Sequence, residues 1–333
     1  MKALRSHAVG GPETLTLDEV DVPAPGKGEV LIDVKACAIN YPDTLIIRDL
    51  YQFKPPRPFA PGGEIAGVIE AIGEGVEGFS VGDKVMAGIG NGGLAEKVVV
   101  NAGRMFPIPE GVSFEKAASL LMTYGTTIHG LKDRGHIKAG DTVLVLGAAG
   151  GVGLSAVELA KAFGARVVAA VSSEEKGEIA RQAGADEVVI YPTGEMDKDA
   201  SKELANAFKA ACGPEGANIV YDIVGGQYSE PALRAIAWEG KFLVVGFPAG
   251  IAKMPLNLTL LKSCDIAGVF WGAFTAREPV KFRQQVTELF ELMKAGKIDP
   301  LVSETFPLER GGEAIAKLES RQAVGKLVVT MGN

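Results

Sequence analysis

Residues 143–153 read VLVLGAAGGVG, an apolar run that breaks into glycines. The segment that follows carries apolar residues at Val152, Ala156, Leu159 and Phe163, the spacing of one helix face. A strand, a glycine turn and a helix are therefore predicted here. The alternation then continues: RVVAAV before EEKGEIARQAG, EVVIY before MDKDASKELANAFKAACG, and NIVYDIVG before SEPALRAIAW. KFLVVGF, LNLTLLKS and DIAGVFWG follow. Strand-like and helix-like runs in turn predict a doubly wound parallel sheet of six strands, placed over residues 123–271.

The 122 residues before it have another texture. KALRSHAV, LTLDEV, EVLIDVKACAI, GEIAGVIEAIG, DKVMAGI and AEKVVV are short runs separated by PAPGKG, EGVEGFSVGD and GNGG. Such punctuation predicts a β-rich barrel or folded-over sheet. The last 60 or so residues offer a helix in PVKFRQQVTELFELMKAGK, a shorter one near RGGEAIAKLESR, and a strand, KLVVTM. That strand needs a partner, and the first domain's sheet is the expected one. A chain of 333 residues suits about two domains.

The net charge of −7 disfavours nucleic acid and anionic lipid as partners. No run of 18 apolar residues is present, and the N-terminus lacks the apolar core of a secretory signal, so a cytoplasmic protein is expected. Cys37, Cys212 and Cys264 are odd in number and far apart, which implies no disulfide framework.

Glycines after a strand let the backbone approach a pyrophosphate, and the helix N-terminus presents free N–H groups to it. Gly150, Gly151 and Val152 are the expected contacts. The end of the second strand selects the cofactor. A carboxylate there would bond a ribose 2′-hydroxyl, but the strand ends in Val171 and Ser172 follows. Ser172, Lys176 and Tyr191 supply donors and a cation suited to a 2′-phosphate, so NADPH is expected. Glu174 and Glu175 lie close by and argue the other way, unless they point outward from a helix's first turn.

Several further motifs occur together: AINYPDTLIIRDLYQFKPPRPFAPGGEIAGVI, VGDKVMAG, GGLAEKVVV, TYGTTIHGL, AIAWEGKFLVVGF and the closing GKLVV. With GAAGGVG they make the chain, nearly end to end, resemble the zinc-independent quinone oxidoreductases of the medium-chain dehydrogenase/reductase superfamily. The resemblance implies a GroES-like catalytic domain, 1–122 with 272–333, and an inserted Rossmann domain, 123–271, with a cleft between them. It also implies a homodimer built on edge strands near Val269 and Phe270.

Zinc enzymes of the superfamily place Cys and His where this chain has Asn40 and Tyr41, and a His where it has Gly63. Of those positions only Glu64 keeps a ligand type, too few for a catalytic zinc, and three cysteines cannot make a four-cysteine lobe. Cys37 reads as a packed small apolar side chain. His7, His129 and His136 show no ligand spacing. A metal-free site favours hydride delivery to a conjugated acceptor, a quinone or an α,β-unsaturated carbonyl, whose charge spreads to a remote oxygen.

By resemblance, Asn40 lies near the nicotinamide ribose and the acceptor, and Tyr51 matches a proton donor or orienter. On the residues alone, a turn cap is the alternative reading for Asn40 and a cover over the core that for Tyr51. Asp43 reads as a helix cap or structural partner. The resemblance places Thr126, Phe247, Phe270 and Gly272 near the nicotinamide, with Trp271 and Gly272 at a strand end. Arg321 either reaches the adenosine phosphate or is an exposed structural arginine. Two other readings stay open: a 2-enoyl-thioester reductase, and an NADPH-binding structural or regulatory protein without turnover.

Overall fold

The computed structural model describes residues 1–332. Two compact units emerge, residues 1–122 with 300–333, and residues 123–299. The strands of the first unit begin with β1 Lys2–Arg5, β2 Thr16–Glu19, β3 Glu29–Ala38, β4 Glu64–Ile72, β5 Lys84–Gly88, β6 Lys97–Asn101 and β7 Met105–Pro107. The second unit holds β8 Thr142–Leu146, β9 Arg166–Val171, β10 Glu187–Ile190, β11 Ala217–Asp222, β12 Ile236–Val244 and β13 Asp265–Gly268. The chain then returns to the first unit with β14 Val302–Pro307 and β15 Lys326–Thr330.

The helices run α1 Tyr41–Ile46, α2 Phe114–Ala117, α3 Leu121–Ile128, α4 Gly151–Ala162, α5 Glu174–Gln182 and α6 Lys198–Cys212. After them come α7 Ser229–Arg234, α8 Asn257–Lys262, α9 Trp271–Arg277, α10 Pro279–Lys294 and α11 Gly311–Glu319.

In the first unit the sheet order is β14-β15-β3-β4-β5-β7, with β6 also paired to β3. The ten-residue β3 organises it. Its first half pairs with β6 and its last residues with β15, while β4 runs antiparallel along its whole length. Two register shifts bend the β3–β4 ladder, and bulges of this kind let a sheet fold over. Gly67 sits at the bend; a Cβ there would lie 2.2 Å from the Asp33 carbonyl oxygen. The core beneath is Val30, Ile32, Ile65, Val85, Leu94, Met105 and Val329. The closing strand thus returns to the first unit's sheet, as KLVVTM suggests.

The second unit is a six-stranded parallel sheet in the order β10-β9-β8-β11-β12-β13. That is the doubly wound Rossmann order, with its reversal beside β8. β8 is central, and Val143, Leu144, Val145 and Leu146 are all buried. Phe208, Phe242, Val168 and Val220 share that core.

The structure departs from expectation at two places near residue 271. The strand ends at Gly268, and Trp271 and Gly272 open helix α9 instead of closing a strand. Residues 272–299 also group with the Rossmann unit, so the second boundary lies between 299 and 300. Local chemistry explains this. The His129 ring stacks on Phe274 at 4.0 Å, Gln285 Nε2 donates to Asp133 at 2.8 Å, and Lys132 pairs with Glu288 at 2.7 Å. These contacts tie α9 and α10 to the turn after α3.

Candidate active site

The Rossmann unit presents its glycine turn where β8 ends. Gly147 has φ +73°, and a Cβ on Gly153 would lie 2.1 Å from the Gly147 carbonyl oxygen. Glycine at both positions brings the turn hard against the start of α4. Gly150 is the N-cap and has no side chain to offer. The N–H groups of Gly151, Val152 and Gly153 therefore have no partner within the helix. Beside Gly150 the space is open, with no atom nearer than 3.7 Å to a built Cβ. Such a cradle fits a pyrophosphate.

At the end of β9 the Lys176 ammonium donates to Ser172 Oγ at 3.2 Å. Ser173 caps α5, its Oγ accepting from the Lys176 N–H. Glu174, in the first turn, turns along the helix to Arg181 at 3.0 Å. A serine and a lysine therefore stand at the strand end where a carboxylate would select NADH, and these residues fit a 2′-phosphate. Tyr191 lies alongside, its N–H bonded to the Val171 carbonyl at 2.8 Å, but its ring is buried against Tyr228. Thr126 is half-buried on α3, whereas Phe247, Phe270 and Gly272 are exposed.

In the first unit, the loop and helix α1 after β3 carry the other candidates. Asn40 is buried and every part of it is engaged. Its Oδ1 accepts from the Lys326 ammonium at 2.6 Å, and its Nδ2 donates to Glu64 Oε2 at 3.0 Å and to the Ala38 carbonyl at 3.3 Å. Its own N–H donates to Asp43 Oδ2 at 2.8 Å, while Asp43 Oδ1 accepts from the Gly62 N–H at 2.9 Å. Asp43 thus occupies the first turn of α1 as a structural acceptor. Glu64 Oε1 accepts from the Met122 N–H, and Lys326 also bonds the Ile39 carbonyl.

An ammonium and a carboxylate at opposite ends leave the Asn40 amide one orientation, since flipping it would set like against like. Lys326 is only 4% exposed. Burial pushes its pKa down and that of Glu64 up, each opposed by the charge of the other. Burial also raises the Asp43 carboxyl, to about 6. Tyr51 packs against the first unit's core, and burial and the Asp43 charge push its phenol up. Arg321 is exposed just beyond α11, with φ +60°. Its charge lowers the pKa of Tyr41, which burial raises.

Lys326 is the residue that sequence reasoning missed. Its signal lies within GKLVV, where a lysine opens an otherwise apolar strand.

These residues do not fit a zinc ion. Glu64 is held by Asn40 and Met122, a Cβ on Gly63 would lie 3.2 Å from the Gly90 carbonyl oxygen, and Asn40 is spent. Among the described residues no three His, Cys, Asp or Glu side chains are grouped as ligands. Cys37 is wedged against Gly62 and Gly93, where built Cβ atoms would approach its sulfur to 2.6 and 2.7 Å.

A cofactor-binding Rossmann unit joined to a GroES-like unit defines the class of medium-chain dehydrogenase/reductases. The family description "Alcohol dehydrogenase GroES-like domain" matches residues 26–110, and "Zinc-binding dehydrogenase" matches 151–294. Quinone oxidoreductase-like protein 2 of Rattus norvegicus is 37% identical over 321 residues, 96% of this chain and 89% of that one. Human quinone oxidoreductase is 32% identical over 335 residues, 99% of this chain and 98% of that one. Among solved structures, a mycobacterial protein complexed with NADPH has a TM-score of 0.91 at 32% identity, covering 99% of this chain and 100% of that one. Escherichia coli quinone oxidoreductase complexed with NADPH has 0.89 at 28%, with the same coverage. The chain belongs to the quinone oxidoreductase-like family of zinc-independent medium-chain dehydrogenase/reductases, and it is an oxidoreductase.

Two outcomes are expected. Ser172→Asp sets a carboxylate where a 2′-phosphate would lie. It shifts the cofactor preference from NADPH toward NADH, read as the ratio of the two dissociation constants; an unchanged ratio contradicts the assignment. The second concerns pH. The folded carboxyl of Asp43 holds its proton more tightly than the unfolded chain does, so protonation favours the fold. Its contribution is complete below about pH 4 and lost as pH rises through about 6. Over that window wild type should lose on the order of 3 kcal/mol relative to Asp43→Asn, measured by denaturant melts at each pH.

Proposed function

We propose that this protein uses NADPH to reduce quinones or other α,β-unsaturated carbonyls, with no metal assisting. The observation that carries the reading is the closed network of Asn40, Glu64 and Lys326. Its donors and acceptors satisfy one another, so no side chain there is left to act as a Lewis-acid ligand. The acceptor's own conjugation must then spread the developing charge, and an O–H donor must meet it. Bound NADPH supplies the hydride.

Tyr51 is the donor. A phenol is protonated at physiological pH, and burial and the Asp43 charge push that of Tyr51 further up. Leu50 and Phe53 on the same loop are 68% and 53% exposed, an apolar setting suited to a planar ring. Asn40 acts by holding the loop entry in place. On the cofactor side, Gly150, Gly151 and Val152 take the pyrophosphate, and Ser172 and Lys176 take the 2′-phosphate. Thr126, Phe247, Phe270 and Gly272 serve the nicotinamide end, and Tyr191 and Arg321 the adenosine end. The similar proteins solved in complex with NADPH support the cofactor reading.

The test is NADPH oxidation with an ortho-quinone, a para-quinone, a simple enone and crotonyl-CoA. Turnover of the first three supports the reading. Preference for crotonyl-CoA moves it to an enoyl-thioester reductase, and NADPH binding without turnover moves it to a regulatory protein. Tyr51→Phe should lower kcat by about a hundredfold or more while leaving NADPH affinity intact.

The same reading includes a homodimer. β13 is an edge strand, and on α8, which leads into it, Leu260 and Leu261 are 79% and 63% exposed. An apolar face beside an open edge suits a second copy. Leu260→Glu with Leu261→Glu should shift light-scattering mass from dimer to monomer; a wild-type monomer would exclude the dimer.

A further inference from the structure

A row of buried hydroxyls in the Rossmann unit has no part in the chemistry proposed above. Tyr221 Oη lies 3.0 Å from Thr127 Oγ1, which lies 2.7 Å from Ser155 Oγ. Ser155 Oγ in turn lies 2.8 Å from the Val152 carbonyl oxygen and 3.2 Å from that of Thr123. Thr127 and Ser155 are fully buried, as is Tyr221.

The row has a direction. Carbonyl oxygens cannot donate, so the single Ser155 proton goes to them. Thr127 therefore donates to Ser155, and Tyr221 donates to Thr127. Burial holds the Tyr221 phenol well above its ordinary pKa, which keeps it a donor. A second rung lies next to the first: Tyr124 Oη donates to Glu158 Oε2 at 2.6 Å. Tyr124 and Thr127 are three apart on α3, and Ser155 and Glu158 three apart on α4, so each pair shares one helix face. Tyr124 meets Glu158 and Thr127 meets Ser155, so the helices pair antiparallel and the two rungs zip them together.

Packing alone would not select these residues. Valine, alanine and phenylalanine fill the same space without burying three hydroxyls, and buried hydroxyls cost stability unless each is bonded. Even the ring of Tyr221 needs clearance from α3's continuation, since a Cβ on Gly130 would lie 2.9 Å from its Cε2.

The first rung ends at the cofactor cradle. Ser155 grips the carbonyl of Val152, in the first turn of α4 whose N–H groups have no partner within the helix, and Thr127 adjoins Thr126. We propose that Thr127, Ser155 and Tyr221 are positioning residues for the dinucleotide. They hold α3 at one distance from the first turn of α4, so that both segments meet the bound cofactor without rearrangement.

The inference rests on the NADPH reading and is tested by titrating NADPH into the wild type and variants, with the melting temperature of each taken without cofactor. Thr127→Val keeps the shape and removes the middle hydroxyl. It should raise the NADPH dissociation constant by about tenfold, and Thr127→Ser should restore it to near the wild-type value. Tyr221→Phe removes only the first donor and should weaken binding less; it carries the test if Thr127→Val does not fold. Variants that melt earlier yet bind NADPH within twofold of wild type would overturn the proposal. Failure of the wild type to bind NADPH would instead overturn the cofactor reading.

Discussion

The first unit depends on one buried cation. Lys326 enters the core from the first residue of the closing strand and meets Asn40, Glu64 and the Ile39 carbonyl. An ammonium in that setting is tolerable only with partners, and stripping one partner from a buried pair costs about 3–5 kcal/mol. The end of the chain and its first 122 residues are thereby bound to fold together, even though a whole Rossmann unit is encoded between them. The pairing of β15 with the end of β3 delivers the lysine to that place. Asn40 is the next residue but one after β3, so the strand ladder and the charge network specify the same register.

The Rossmann unit is organised differently. Its sheet is apolar through the middle and needs no charge to define strand order. Polar groups collect at the carboxyl ends of the strands, where Asp222 accepts from the N–H groups of Val224 and Gly225 and from Ser229 Oγ. Burial raises its pKa, and those three donors oppose the shift. The carboxylate shapes the turn after β11 in the way Gly147 and Gly153 shape the turn after β8. The loops at this edge are held by short-range hydrogen bonds, while the strands behind them are held by packing.

Much of this was legible in the residue pattern. Period and punctuation predict the six parallel strands, the β-rich first unit and the return of KLVVTM to its sheet. The missing acid after Val171 points to the Ser172–Lys176 pair. What the pattern hid were contacts between distant segments. VFWG reads as a strand to its end because Val, Phe and Trp favour strands, yet Trp271 starts a helix with its ring edge-on to Phe282 at 5.6 Å. Nothing local to residues 272–299 tells which sheet they pack on; Phe274 and Gln285 decide it through His129 and Asp133. Nothing local names the partners of Lys326, because Glu64 and Asn40 lie some 260 and 290 positions away.

The charge balance of the Asn40 network bears on what the neighbouring loop can recognise. One ammonium and two carboxylates are buried there, and Asp43 takes up a proton near pH 6. Close to neutral pH the cluster therefore carries at most one negative charge, shared among bonds that are already made. It offers no cation to an anionic acceptor and no vacant donor to a carbonyl. The loop itself presents Tyr51, whose phenol burial and then the Asp43 charge push up, the bare apolar surfaces of Leu50 and Phe53, and the exposed polar Gln52 and Lys54. On the proposed reading, apolar contact with Leu50 and Phe53 separates close analogues only weakly.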